Sequence, residues 1–169
     1  MYKVKNVKTF RGMEGEGYSC SLYRDNKKVA ECTDHANGGE IYIRWSDYQV
    51  PKVKRSMINT LDELVEISVT PEESLFYNFC EQETWTSFDG KEYKKDPDIK
   101  LGEMADEYVN NKRMKRICKG KTLFRPLSQE VDLKNQKSWL TVNAVFSERI
   151  KKVLTDKHGE CIFLNETIN

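Results

Sequence analysis

The chain has 169 residues, 38% of them hydrophobic and 33% charged, which suffices for one ordinary core, or two small ones, and gives no case for wholesale disorder. A formal net charge of +1 excludes a carboxylate-coated nucleic-acid mimic and a protein that coats nucleic acid by overall positive charge, so any electrostatic function must be local. No apolar run resembles a signal peptide or a membrane span, and five scattered cysteines contain no Cys-x-x-Cys pair; these features imply reduced thiols in a cytoplasmic protein.

The first fifty residues read as an antiparallel β-meander. Tyr2 and Val4 share one parity and Val7 the other, which a bulge near Asn6 reconciles. Tyr18, Cys20 and Leu22 alternate with Ser19, Ser21 and Tyr23, and Ile41, Ile43 and Trp45 alternate with Tyr42 and Arg44, the period of strands with one buried face. Asp25-Asn26 and Asn37-Gly38-Gly39 supply turn residues that tolerate positive φ. The glycine-rich Gly12 to Gly17 stretch leads into a strand and carries two glutamates that repel phosphate. It therefore reads as a hairpin connection rather than a phosphate loop.

Residues 51–119 read as mostly helical. Ser46 to Arg55 is a polar connector, after which Ile58, Leu61, Leu64 and Val65 fall at helical spacing and predict a short helix to Ser68. Thr70-Pro71-Glu72-Glu73 is a capping box that starts a second helix, with Leu75, Phe76, Phe79 and Cys80 as its apolar face. The carboxylates of both helices, Asp62, Glu63, Glu66, Glu72, Glu73, Glu81 and Glu83, read as a solvated surface. Trp85, Phe88 and Tyr93 around Asp89-Gly90 predict a hairpin or aromatic loop whose rings plug the core, the alternative being exposed rings that serve as an interface.

From about Ile99 to Lys119 the spacing predicts a long helix. Its apolar stripe of Leu101, Met104, Ala105 and Tyr108 continues at the same angular position into Lys112, Lys115, Arg116 and Lys119, while Met114, Ile117 and Cys118 are apolar on roughly the opposite side. Asn110-Asn111 is thus a candidate hinge or domain border. Residues 120–169 read as a small β-β-α-β unit. Its strands lie at Lys121 to Arg125, Ser138 to Ala144 and Cys161 to Leu164, with a polar loop from Pro126 to Lys137. Its helix is capped by Ser147, turned inward through Ile150, Val153 and Leu154, and stopped by Gly159. The fold class is α+β, in one compact domain or two small ones.

Chemistry-bearing motifs are few. Cys32-x-x-His35 and His158-x-x-Cys161 hold the inventory of a zinc site but lie far apart in sequence, so no metal and no cofactor is assigned. Nothing marks a cysteine as an activated nucleophile, and no Walker loop, nucleophile elbow or metalloprotease helix is present. An enzyme is therefore the minority reading, and no catalytic residue is assigned. The sharper signal is cationic. Lys112, Arg113, Lys115, Arg116, Lys119, Lys121 and Arg125 fall in an acid-free run, a pattern suited to phosphates or to a carboxylate-rich protein surface. The plainer alternative is a helix end whose cations complement the C-terminal dipole.

Lys5-Asn6-Val7-Lys8-Thr9-Phe10-Arg11-Gly12, Ser21-Leu22-Tyr23-Arg24-Asp25, Lys28-Val29-Ala30, Asn37-Gly38-Gly39 and Lys121-Thr122-Leu123-Phe124-Arg125 resemble phrases in small hypothetical proteins of tailed phages and prophages. The resemblance covers the first forty-five residues and parts of the C-terminal third. It implies an accessory protein acting in the host cytosol that binds and inhibits or modulates a host protein of bacterial defence or of nucleic-acid handling. On that reading Lys112, Lys115, Arg116, Lys119, Lys121 and Arg125 meet an acidic patch on the partner. Two alternatives stand beside it: nucleic-acid or nucleotide binding through the same cations, and an enzyme whose site assembles from dispersed residues.

Overall fold

The computed structural model describes residues 1–58, 63–88, 90–127 and 139–168. The fold is α+β, and it divides into two units, Met1–Tyr108 and Val109–Asn169.

The first unit opens with a four-stranded antiparallel sheet in the order β1 (Tyr2–Arg11), β2 (Glu16–Arg24), β3 (Lys27–Asp34) and β4 (Tyr42–Trp45). Side-chain alternation dictates which face is buried: Tyr18, Cys20 and Leu22 point into the core, as do Ala30, Cys32 and Trp45, while Val29 is buried at the register shift opposite Leu22 and Tyr23. The β1–β2 register shifts between Lys5 and Lys8, where Asn6 has a φ of 56°, and this bulge turns Val7 to the same buried side as Tyr2 and Val4. Asp25 and Asn26 take φ of 47° and 71°, the paired positive values of a tight two-residue hairpin. Gly12 to Gly17 joins two strands, and Gly12 lies so close to the loop after β3 that a Cβ there would stand 2.5 Å from the His35 carbonyl oxygen.

One stretch departs from the expected helical middle. No helix runs from Ile58 to Ser68; β5 (Val53–Ile58) and β6 (Leu64–Val69) form an antiparallel hairpin, and β5 already begins inside the supposed connector. The period-two set Val65, Ile67 and Val69 turns to the more buried side, and β-branched residues at that spacing favour a strand over the helical pattern that Ile58, Leu64 and Val65 imitate across the turn. Leu61 and Asp62 lie outside the described residues. The hairpin expected around Gly90 is formed by β7 (Thr84–Thr86) and β8 (Glu92–Lys94) after α1 (Pro71–Cys80), and its Asp89 lies outside the described residues.

The capping box of α1 is formed as spelled: the Glu73 N–H donates to Thr70 Oγ1 and the Thr70 N–H to the Glu73 carboxylate, both at 3.2 Å. Phe76 and Cys80 are fully buried and Phe79 packs beside them, but Leu75 is exposed, so the apolar face is narrower than expected. Phe76 meets the Tyr2 ring edge-on at 4.9 Å and the Trp45 ring at 5.9 Å, which ties α1 to both edge strands of the sheet. Glu72 is another departure, because it is buried rather than solvated.

Helix α2 (Pro97–Cys118) begins on an Asp96 side chain that accepts from the Ile99 N–H at 2.8 Å, and it is unbroken at Asn110-Asn111. The division between units falls beside that pair. In the first unit its Leu101 and Ala105 are buried, with Met104 and Tyr108 packed against the same core.

The second unit has a three-stranded antiparallel sheet in which β9 (Thr122–Pro126) lies between β10 (Leu140–Val142) and β11 (Cys161–Phe163). Strand β10 is shorter than the predicted 138–144, and residues 128–138, which include most of the expected polar loop, lie outside the described residues. Helix α3 (Glu148–His158) is capped by Ser147, whose hydroxyl accepts from the Ile150 N–H at 3.3 Å, and ends at Gly159 with φ 78°. Leu154 joins Phe124 and Phe163 in a small core, with Ile150 packed against it, whereas Val153 is exposed instead of turned inward. A short helix α4 (Leu164–Thr167) follows β11 and was not anticipated. No helix among the described residues is long and apolar enough to cross a membrane.

Candidate functional site

The candidate site in the second unit grows from the end of α2 and the strand after it. Lys112, Lys115, Arg116 and Lys119 are spaced three and four residues apart and occupy one face, and all are exposed. Arg113 and Lys121 are also exposed. Lys112, Arg113, Arg116, Lys119 and Lys121 have no ion pair with any of the described residues. The apolar side of this half of the helix is carried by Met114, Ile117 and Cys118, which are half-buried. The change of buried face along α2, legible in the residues, therefore occurs without a break in the backbone.

What fixes the end of this basic face is Asn165 on α4. Its side-chain amide nitrogen donates to the Cys118 carbonyl at 3.2 Å and to the Lys121 carbonyl at 2.8 Å, while its oxygen accepts from the Leu123 N–H at 2.8 Å. Three backbone groups at the junction of α2 and β9 are thus satisfied by one side chain, which a helix C-terminus needs for its unpaired carbonyls. Nothing local in the sequence signals this role, because Asn165 is more than forty residues away from its partners.

Arg125 does not join the face. It lies on β9, half-buried, with its guanidinium 5.1 Å from the centre of the Trp139 ring, so part of its cationic surface is already covered. Of the six expected anchors, Lys112, Lys115, Arg116, Lys119 and Lys121 are exposed, and Arg125 is set apart.

Charge is segregated between the units. Residues 109–169 hold thirteen Lys and Arg against six Asp and Glu, a net +7, whereas residues 1–108 hold fifteen against twenty-one, a net −6. The near-neutral total conceals two oppositely charged parts, and electrostatic attraction of a partner depends on the local field rather than on the sum.

The cysteine and histidine residues weighed as a metal set belong to different structural settings. Cys32 is buried opposite Cys20 in the β2–β3 register, and His158 packs on the Phe124 ring at 5.3 Å. Among the described residues no three His, Cys, Asp or Glu side chains gather as metal ligands.

The first unit holds a feature the sequence did not announce, a broad cleft of about 2220 Å³ lined by β4 and by both hairpins. Trp85, Phe88 and Tyr93, expected as core plugs, are exposed on its wall; the Trp85 and Tyr93 rings lie 5.6 Å apart across the β7–β8 pair. A three-residue strand pair leaves these rings on its surface instead of in the main core. Comparison of the chain with protein-family models, with curated proteins and with solved structures finds no match.

Proposed function

We propose that this chain is an interaction protein of the phage accessory kind, which docks on a host protein through the cationic face of its second unit and inhibits or modulates it. The observation that carries the reading is the exposed row Lys112, Lys115, Arg116 and Lys119 at the end of α2, continued by Lys121, in a unit of net +7. Several cations held in register on one rigid helix meet an anionic surface without paying the ordering cost of a flexible tail. An acidic patch on a bacterial protein, such as one that handles nucleic acid, offers the complementary charge. No membrane partner enters this reading. It also needs no catalytic group or cofactor.

Phosphate groups are the other anion that such a row fits, so nucleic acid is the second reading, supported by the same exposed cations. The two separate on one experiment. The wild-type chain and a Lys112→Glu/Arg116→Glu/Lys119→Glu variant are used to capture partners from a bacterial lysate with and without nuclease treatment. A stoichiometric protein retained by the wild type and lost by the variant supports docking on protein. Equal recovery by both chains contradicts the role of the face, and capture abolished by nuclease transfers it to nucleic acid.

A further inference from the structure

The buried face of the first sheet carries two thiols in direct opposition. Cys20 on β2 and Cys32 on β3 are partners in the strand register, both are buried, and neither is bridged. Backbone direction decides which kind of pair they form. The Val29 carbonyl accepts from the Ser46 N–H at 2.9 Å, on the β4 side, so across the trans peptide the Ala30 N–H turns toward β2. The backbone groups of Cys32, two residues further along β3, turn the same way. Cys20 and Cys32 are therefore a hydrogen-bonded antiparallel pair, with Cα atoms about 5.5 Å apart, inside the span that a disulfide bridges.

The side chains meet as well as the backbones. The two sulfurs are joined by a hydrogen bond, in which the S–H of one favours the thiolate of the other and is itself held high by donating. Cys20 is 6% exposed against 1% for Cys32, which makes Cys20 the sulfur that meets a reagent and Cys32 the one that resolves. An opening this narrow suits a peroxide, little larger than water, ahead of a bulky oxidant or alkylating agent. Cross-strand Cβ atoms lie about 4.5–5.5 Å apart, the wider value belonging to hydrogen-bonded pairs, whereas a disulfide prefers about 3.8 Å. Closure thus draws the two strands together, and a bond formed under that strain stays reducible.

We propose that Cys20 and Cys32 are a peroxide-sensitive thiol pair, which closes to an intramolecular disulfide that staples β2 to β3 and reopens in the presence of a dithiol. The Cys20 thiolate attacks one oxygen of the peroxide; the O–O bond breaks, the departing hydroxide takes up a proton and leaves as water, and Cys20 becomes a sulfenic acid. The Cys32 thiol then gives up its proton and attacks the Cys20 sulfur, forming the S–S bond and breaking the S–O bond, and a second water leaves. Two thiols have lost two electrons, and one peroxide has been reduced to two waters. The bridge closes a chain loop around the Asp25-Asn26 turn, which restricts the unfolded chain and makes the oxidised form the more stable one. Cys161 faces Pro126 in its own register, and Cys118 lies on α2, so neither has a thiol across a strand pair. The pair belongs to the first unit and does not involve the cations of α2.

The test treats the reduced full chain with hydrogen peroxide, caps the remaining thiols with N-ethylmaleimide in denaturant, and maps tryptic peptides without reduction. Cleavage between the two cysteines separates them, so the expected product is a Cys20 peptide joined to a Cys32 peptide, formed at any protein concentration and released by dithiothreitol. The oxidised chain gains about 5 °C or more in Tm, and reduction removes the gain. A Cys118→Ser/Cys161→Ser chain, which keeps the pair, responds in the same way, while Cys32→Ala yields no linked peptide. The comparison of oxidised with reduced wild type stands even if Cys32→Ala fails to fold. The proposal is overturned if Cys20 and Cys32 both take up the cap after peroxide, or if either is oxidised to a sulfinic acid without linkage. It is equally overturned if the link forms only between chains or only in denaturant, or if it leaves Tm unchanged.

Discussion

The Arg24 guanidinium holds the Glu72 carboxylate side-on, with Nε donating to Oε1 at 2.8 Å and Nη2 to Oε2 at 2.7 Å, and the Tyr2 hydroxyl donates to the same Oε1 at 2.8 Å. A residue of α1 is thereby joined to β1 and β2 at the start of the chain. The Glu72 N–H in turn donates to Asp47 at 2.9 Å, beyond the end of β4, so the first turn of α1 is fastened to both sides of the sheet. Burial and the hydrogen bond to Glu72 push the Tyr2 phenol well above its ordinary value.

Glu72→Ala strands the buried Tyr2 hydroxyl and leaves the Arg24 guanidinium without its partner. We expect a loss of about 2 kcal/mol in unfolding free energy, against about 1 kcal/mol for Tyr2→Phe, measured by urea denaturation. The double variant should lose less than the sum, since both changes remove one shared hydrogen bond.

Thr70→Ala removes one half of the capping box and should cost about 1 kcal/mol, again by denaturant titration, with Thr70→Ser close to wild type. A neutral result for alanine would mean that Pro71 and the Glu72 network alone define the start of α1.

Glu83 accepts from Lys100 and, at 2.8 Å, from Lys95, and these hydrogen bonds, the first of them foremost, lower its carboxyl from 4.5 to about 2. A folded-state value below the unfolded one stabilises the protein above the ordinary carboxylate range. That contribution is lost as pH falls from about 4.5 toward about 2. Glu83 is nearly half exposed, so screening holds the effect below about 1 kcal/mol. Comparing wild type with Glu83→Gln at pH 6 and at pH 3 in low salt should show the difference between them shrinking at the lower pH.

The five thiols divide by burial. Cys20, Cys32 and Cys80 are buried while Cys118 and Cys161 are half-buried, and burial pushes the Cys80 thiol up to about 12. The hydrogen bond to Cys20 and burial hold the Cys32 thiol high as well. Timed alkylation with iodoacetamide followed by peptide mass mapping should modify Cys118 and Cys161 first, with the other three protected until the protein unfolds.

Asn165→Ala frees the Cys118 and Lys121 carbonyls and the Leu123 N–H at once. A loss of about 1–2 kcal/mol is expected, with faster hydrogen exchange at the Leu123 amide as its local signature. Partner binding through the basic face should weaken with it, because the end of α2 loses its anchor.

The meander was legible because its signals are local: alternation at Tyr18 to Leu22, a parity change around Asn6, and positive-φ residues at Asp25-Asn26. Caps at Thr70 and Ser147 were legible for the same reason. The β5–β6 hairpin was not, since Ile58, Leu64 and Val65 satisfy a helical template while only Val65, Ile67 and Val69 carry the competing alternation. The role of Glu72 and the cleft along β4 depend on residues brought together from distant positions, and no short-range pattern encodes such a meeting. The cationic row on α2 lay open to reading because helical periodicity alone places its members on one face, whereas the withdrawal of Arg125 toward Trp139 required the β9 neighbourhood to be seen.

The most direct test of docking through the second unit is a titration of the captured host protein with wild-type chain and with Arg116→Glu/Lys119→Glu, at two salt concentrations. The expected outcome is a wild-type affinity that falls as salt rises and a variant weaker by about tenfold or more at low salt. Equal affinities for the two chains, insensitive to salt, would contradict it.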